Sequence, residues 1–369
     1  MAATRQLRGV LAGLVVALPL LLVALLYRGA LPGTFGGSIG RPTPAMHGDG
    51  EPRPSPLSPT GGVFSARSIW KQDVRGAPLD PDSRAMVAGL ARQVRDNYRG
   101  SAAFNNDSYN TTFYVVSENT PRQDVRFDDC QNKGYIPSQL YEQREGAHFR
   151  SIPIPSSAVP ATGTDAEMTV WLPATDQLWE LWRARQDAEG WHACWGGRMD
   201  GVSKSPGFFA NPMGATATGL PNAGGMVGIR EALAGRVDHA LSLQLIETDA
   251  YDVVSYPAQR SDGDNPDHSP DRIAEGQRLR LDPGVDVDSL HLHPLAAMIA
   301  KAAQTYGFFV TDKSGAVAVL GESGAADQAA SGSDPWRKLL RGTRSDQVMS
   351  RFPWSSLQVL VADWGRPTG

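Results

Sequence analysis

The chain has 369 residues, 41% of them hydrophobic, enough to bury a sizeable core in one large domain or two ordinary ones. Its formal charge of -4 gives no electrostatic ground for binding a polyanion, so a nucleic-acid partner is not expected. Only Cys130 and Cys194 are present, which excludes a disulfide-dense scaffold and a four-cysteine zinc site and leaves one disulfide as the most the chain can form.

Residues 9–26, GVLAGLVVALPLLLVALL, are apolar and uncharged, and as a helix they would cover about 27 Å, close to a bilayer's hydrocarbon core. Arg5 and Arg8 precede the run and Arg28 follows it, which favours a short cytoplasmic tip (residues 1–28 including the anchor) with the remainder outside the cytoplasm. A cleaved signal peptide is the competing reading; it would make the protein secreted, but no A-x-A site follows the run. Residues 29–63, crowded with Gly, Pro and Ser, read as a disordered tether.

Residues 64–369 read as a single extracytoplasmic, β-rich domain. It opens with a helical extension over 80–99, where Asp80 is placed as N-cap and Pro81 at the first helical position. Met86, Val87, Leu90, Val94 and Tyr98 share one face of that helix. Short extended runs follow: TTFYVV, EMTVWL, QLWELWRA, HALSLQLI, QRLRLD, GFFVTD, AVAVLG and LQVLVA. TDKSGA reads as a hairpin connection between two of them. One clear helix interrupts the strands, starting at Pro294 and ending at Gly307. Strands of this number, without alternating βα units, predict a mainly β fold, an antiparallel β-sandwich or jelly roll with a few peripheral helices.

The texts LWELW, WGGRMDGVS, GATATGLPNAGG, AGRVDHALSL, SYPAQRSDG, EGQRLRLD and MIAKAAQTYGFFVTDKSG run in order from Leu178 to Gly315. In these the chain resembles a family of exported, mostly uncharacterised bacterial proteins common in actinobacteria. Its general look is similar to jelly-roll proteins associated with polysaccharides, and that likeness implies a groove for a glycan.

Three residues are candidate catalysts. Glu180 shares a strand face with Leu178 and Trp182, where a carboxyl must find a partner or shift upward in pKa as a general acid does; a salt bridge to Arg278 or Arg280 is the structural alternative. Asp200, placed in a Gly-rich loop after WGGRM, is a second carboxylate that can pair with it across a sugar. His239, in RVDHALSL, is either an acid or base in a groove or a hydrogen-bonded core histidine.

Arg260 and Asp262, after a strand, suit ligand binding, Arg260 as a bidentate clamp on a sugar carboxylate, with a turn-stabilising role for Asp262 as the alternative. Trp182 and Trp195 can serve as stacking platforms. GATATGLPNAGG lacks the ending of a phosphate loop and reads as tight backbone packing. His291 and His293 form an H-x-H pair without a recognisable third ligand, and no metal or other cofactor is expected. The leading expectation is a membrane-anchored cell-envelope protein that binds or cleaves a polysaccharide. The alternative is a non-enzymatic envelope scaffold or protein-interaction domain.

Overall fold

Two sheets, built from the runs of alternating and continuous apolar residues, organise the computed structural model. Strands Ala103–Asn105, Ala318–Leu320, Leu241–Leu245, Phe308–Lys313, Arg278–Leu281 and Leu357–Val359 lie side by side in that order. Strands Trp195–Asp200, Gln177–Trp182, Glu167–Leu172 and Thr111–Val115 form a four-stranded sheet, and two smaller sheets accompany these. The structure describes residues 58–368, and among them the chain is sheet-rich with few helices, a mainly β fold. No helix among the described residues is long and apolar enough to cross a membrane. The expected span at 9–26 and residues 29–57 of the expected tether lie outside the described residues.

The sheets are mixed, which corrects the purely antiparallel arrangement expected. Ala103–Asn105 runs parallel to Ala318–Leu320, Thr111–Val115 to Glu167–Leu172, and Leu241–Leu245 to Phe308–Lys313. A parallel pair needs a long return. In the third case the chain between the partners supplies it, carrying strand Arg278–Leu281 and helix Pro294–Thr305. The TDKSGA hairpin is also corrected. Leu241–Leu245 inserts between Phe308–Lys313 and Ala318–Leu320 and pairs with both, so the turn joins strands that are not neighbours.

Each face of the larger sheet has its own core. Leu241, Leu243, Phe308, Val310 and Val319 point to one side, where they pack with Val87, Leu90 and Val94 of helix Ser83–Asp96 and with Leu295, Met298 and Ile299 of helix Pro294–Thr305. Helix Ser83–Asp96 takes Asp82, not Asp80, as N-cap residue, and Tyr98, expected on its apolar face, lies beyond its end and is exposed. The other side contributes Phe309 and Leu320 to a second core shared with Met168, Val170, Leu178 and Leu181 of the four-stranded sheet. The chain over 206–228 runs through this second region. Gly224 lies so close to the Trp70 indole, and Gly225 to Ser242, that a Cβ at either would collide, so the small-residue run packs as the sequence suggested.

The last residues of the expected tether are part of the fold. Ser58 is buried and gives both its backbone N–H (2.9 Å) and its hydroxyl (2.8 Å) to the Glu322 carboxyl. The Gly61 N–H donates to Glu231 at 2.9 Å, and Lys71 donates to the Gly61 carbonyl. Buried acids thus satisfy a segment whose composition alone predicts no structure.

Candidate functional site

A cleft of about 440 Å³ opens beside the two main sheets. Glu167, Trp182 and Trp195 reach it from the four-stranded sheet, and Gln244, Asp312 and Lys313 from the larger one. Loops add Lys133, Asp165, Thr216, Arg260 and Asp262. The strand register explains the first group: Trp182 lies opposite Trp195, and their neighbour Glu167 follows by alternation on the same face.

All four residues expected to bind a substrate, Trp182, Trp195, Arg260 and Asp262, therefore line one cleft. Arg260 donates from Nη2 to the Thr216 carbonyl at 2.6 Å and to the Gly214 carbonyl at 3.3 Å, while its buried Nε has no partner. Its guanidinium carbon lies 5.2 Å from the centre of the Trp195 ring, and Lys133 Nζ lies 5.0 Å from the same ring. Trp182 donates from Nε1 to Asp165 Oδ1 at 3.2 Å and carries the Arg183 guanidinium over its ring at 4.6 Å. Asp262 Oδ1 accepts from the Lys313 N–H at 3.2 Å, a bond that ties its loop to the sheet. Both tryptophans carry cations over their rings.

The Cys130–Cys194 disulfide, anticipated from the cysteine count, forms with a Cα–Cα distance of 5.7 Å. It joins the loop bearing Lys133 to the residue preceding Trp195. Asp129 caps the same loop, its two carboxylate oxygens each 2.7 Å from the N–H of Lys133 or Gly134. The wall that carries one cation over Trp195 is thereby fixed covalently and by hydrogen bonds.

The three expected catalysts do not line the cleft. Glu180 is fully buried beneath it and accepts from the Ala223 N–H at 3.0 Å, while its Oε2 has no partner. Burial pushes its carboxyl up to about 7 against the pull of backbone donors, and neither Arg278 nor Arg280 meets it. Those arginines serve backbone carbonyls instead, Arg278 that of Tyr306 and Arg280 those of Val74 and Ala77. Asp200 ends a strand rather than sitting in a loop, and it pairs with Arg198 at 3.1 Å and with Gln177 on the exposed sheet edge. Gly196 and Gly197 are strand residues because a Cβ at either would strike the Glu180 carbonyl or Gly214. His239 precedes strand Leu241–Leu245 and is buried, with Nε2 3.1 Å from Glu231 Oε2 and Nδ1 2.7 Å from the Ala240 carbonyl. Both ring nitrogens are engaged, which leaves none for a substrate.

Two carboxyls that sequence reasoning passed over stand in the cleft. Glu167 Oε2 accepts from Asn222 Nδ2 at 2.9 Å, and burial, reinforced by Asp312, Asp165 and Glu180, holds its carboxyl well above the usual range. Asp312 Oδ1 accepts from the Ala217 N–H at 2.5 Å, and burial likewise raises it far, despite that bond and the nearby Arg260. Burial thus disfavours the ionised form of both. The signal for Asp312 was an acid at the end of the apolar run GFFVTD; for Glu167, an acid opening EMTVWL. His293, by contrast, is a helix cap: its Nδ1 accepts from the Leu295 N–H at 3.2 Å. Comparison with family models, curated proteins and solved structures finds no match for the chain, and the cleft is read from its own chemistry.

Proposed function

We propose that the protein is a membrane-anchored cell-envelope protein of the exported bacterial family it resembles, and that its cleft binds or cleaves a polysaccharide. The observation that carries this reading is the convergence of Trp182, Trp195, Arg260 and Asp262 with the raised carboxyls of Glu167 and Asp312 in a single open cleft. The layered sheets are read as the sandwich whose groove holds the chain of sugars. A carboxyl whose proton affinity is raised by burial is what a general acid needs to protonate a leaving oxygen, so that role passes from Glu180 to Glu167 or Asp312, which line the cleft. The apolar run at 9–26 supports the anchor, and the disulfide supports an oxidising compartment outside the cytoplasm.

The test is a glycan array and a polysaccharide-digestion screen with the full-length protein, repeated with Asp262→Ala and Trp182→Ala. Binding that is lost in both variants, with melting temperatures retained, supports the reading. No glycan bound or cut overturns it in favour of an envelope scaffold.

A further inference from the structure

Most charged residues of the cleft already have partners. Lys313 pairs with Asp264, Asp165 accepts from Trp182, and Asp262 accepts from the Lys313 backbone. Lys133 and Arg260 differ. Among the described residues neither makes a salt bridge to a carboxylate, yet both are held at defined places by the Trp195 indole. Arg260 is also tethered to two carbonyls, which fix its plane without neutralising it. The ring quadrupole attracts a cation over its face without cancelling the charge, and both cations line the cleft.

Glu167 and Asp312 line the same cleft, and burial disfavours their ionised forms. As ionised groups they would cancel the cations; as neutral acids they leave the charge standing and add O–H donors. Two cations without carboxylate partners, gathered in one cleft around the Trp195 ring, form a receptor for an anion. A carboxylate matches it best, because it takes charge-assisted hydrogen bonds from a guanidinium and an ammonium and accepts readily from a carboxylic acid O–H. A sulfate ester is a far weaker acceptor for that last bond.

We infer that the saccharide recognised in this cleft carries carboxylate groups, as a polyuronate does, and that Lys133 and Arg260 read them over the Trp195 ring. The inference rests on the glycan reading above and narrows it to one substrate class. Lys133 and Arg260 are then the residues that set specificity, distinct from the acids that would transfer the proton.

The experiment measures binding of full-length protein to several polyuronates, each beside its carboxyl-reduced, neutral form, and to a sulfated polysaccharide. The expected result is binding to at least one polyuronate, weakened at least tenfold by carboxyl reduction and by Lys133→Ala, with the melting temperature of that variant unchanged. Arg260→Lys should weaken the same binding, and Lys133→Ala decides the matter if the buried arginine cannot be replaced without unfolding. Equal binding of acid and neutral forms overturns this inference and leaves the glycan reading standing. Preference for the sulfated chain overturns the assignment to carboxylates, and binding to no saccharide overturns both readings.

Discussion

Glu167 of the four-stranded sheet and Asp312 of the larger sheet line the same cleft, and Asp312 adds to the effect of burial in raising the proton affinity of Glu167. Replacing either by its amide keeps the shape and the hydrogen bonds from Asn222 or Ala217 while removing the transferable proton. Glu167→Gln and Asp312→Asn should each leave the melting temperature unchanged or higher, because burial disfavours the charge that the amide removes. The residue that serves as acid should lose about 10²–10⁴-fold in turnover of a cleaved polysaccharide. Full activity in both amides would remove the acid role from the cleft.

Glu180 contributes to the pH dependence of stability. Burial pushes its carboxyl up to about 7 in the folded state from an ordinary value of 4.5. The native state thus holds the proton more tightly than the unfolded chain. Its contribution is complete below about 4.5 and declines as pH rises to about 7, by roughly 3 kcal/mol from this group. Urea melts between those pH values should show a flatter slope for Glu180→Gln than for the wild type. Parallel slopes would contradict the assignment.

His239→Ala should unfold the protein more readily without touching recognition. The change leaves buried Glu231 short of its imidazole partner, at a cost on the order of 3 kcal/mol. Binding to any saccharide ligand, measured below the melting transition, should stay within a factor of two. Selective loss of binding with stability intact would restore His239 as a site residue.

Cys130→Ser tests the wall that holds Lys133. Opening a link across a sequence separation of 64 should cost roughly 2–4 kcal/mol. It should also weaken ligand binding beyond what matched destabilisation elsewhere produces, as in His239→Ala. Equal effects of the two variants on binding would show that the disulfide stabilises the domain without shaping the cleft.

Local signals in the sequence located most elements. Pro294 and Gly307 bracket helix Pro294–Thr305, and every extended run from TTFYVV to LQVLVA contains a strand. Pairing was not legible, because the neighbours of Leu241–Leu245 come from a distant stretch and no local pattern encodes that choice. Strand Trp195–Asp200 was hidden by two glycines that signal a loop but are there to clear the Glu180 carbonyl and Gly214. Trp182, Trp195, Arg260 and Asp262 stood out in the sequence, the tryptophans at strand ends and the other two in a loop, and all four line the cleft. Glu167 and Asp312 were missed because an acid beside apolar residues in a strand reads as an edge feature until the opposing sheet encloses it.

The bond between Ser58 and Glu322 determines where this domain can be cut. A fragment beginning at Phe64, the boundary that composition suggests, would strip the Glu322 carboxyl of its two Ser58 donors and Glu231 of the Gly61 N–H. Glu322 would keep the Ile229 N–H, and Glu231 the Gly228 N–H and His239, each with fewer donors than the intact fold supplies. A soluble version for crystallisation or ligand screening should begin upstream of Ser58, and a protease that trims the chain to Phe64 would act as a destabiliser of the domain rather than as a harmless remover of a tail.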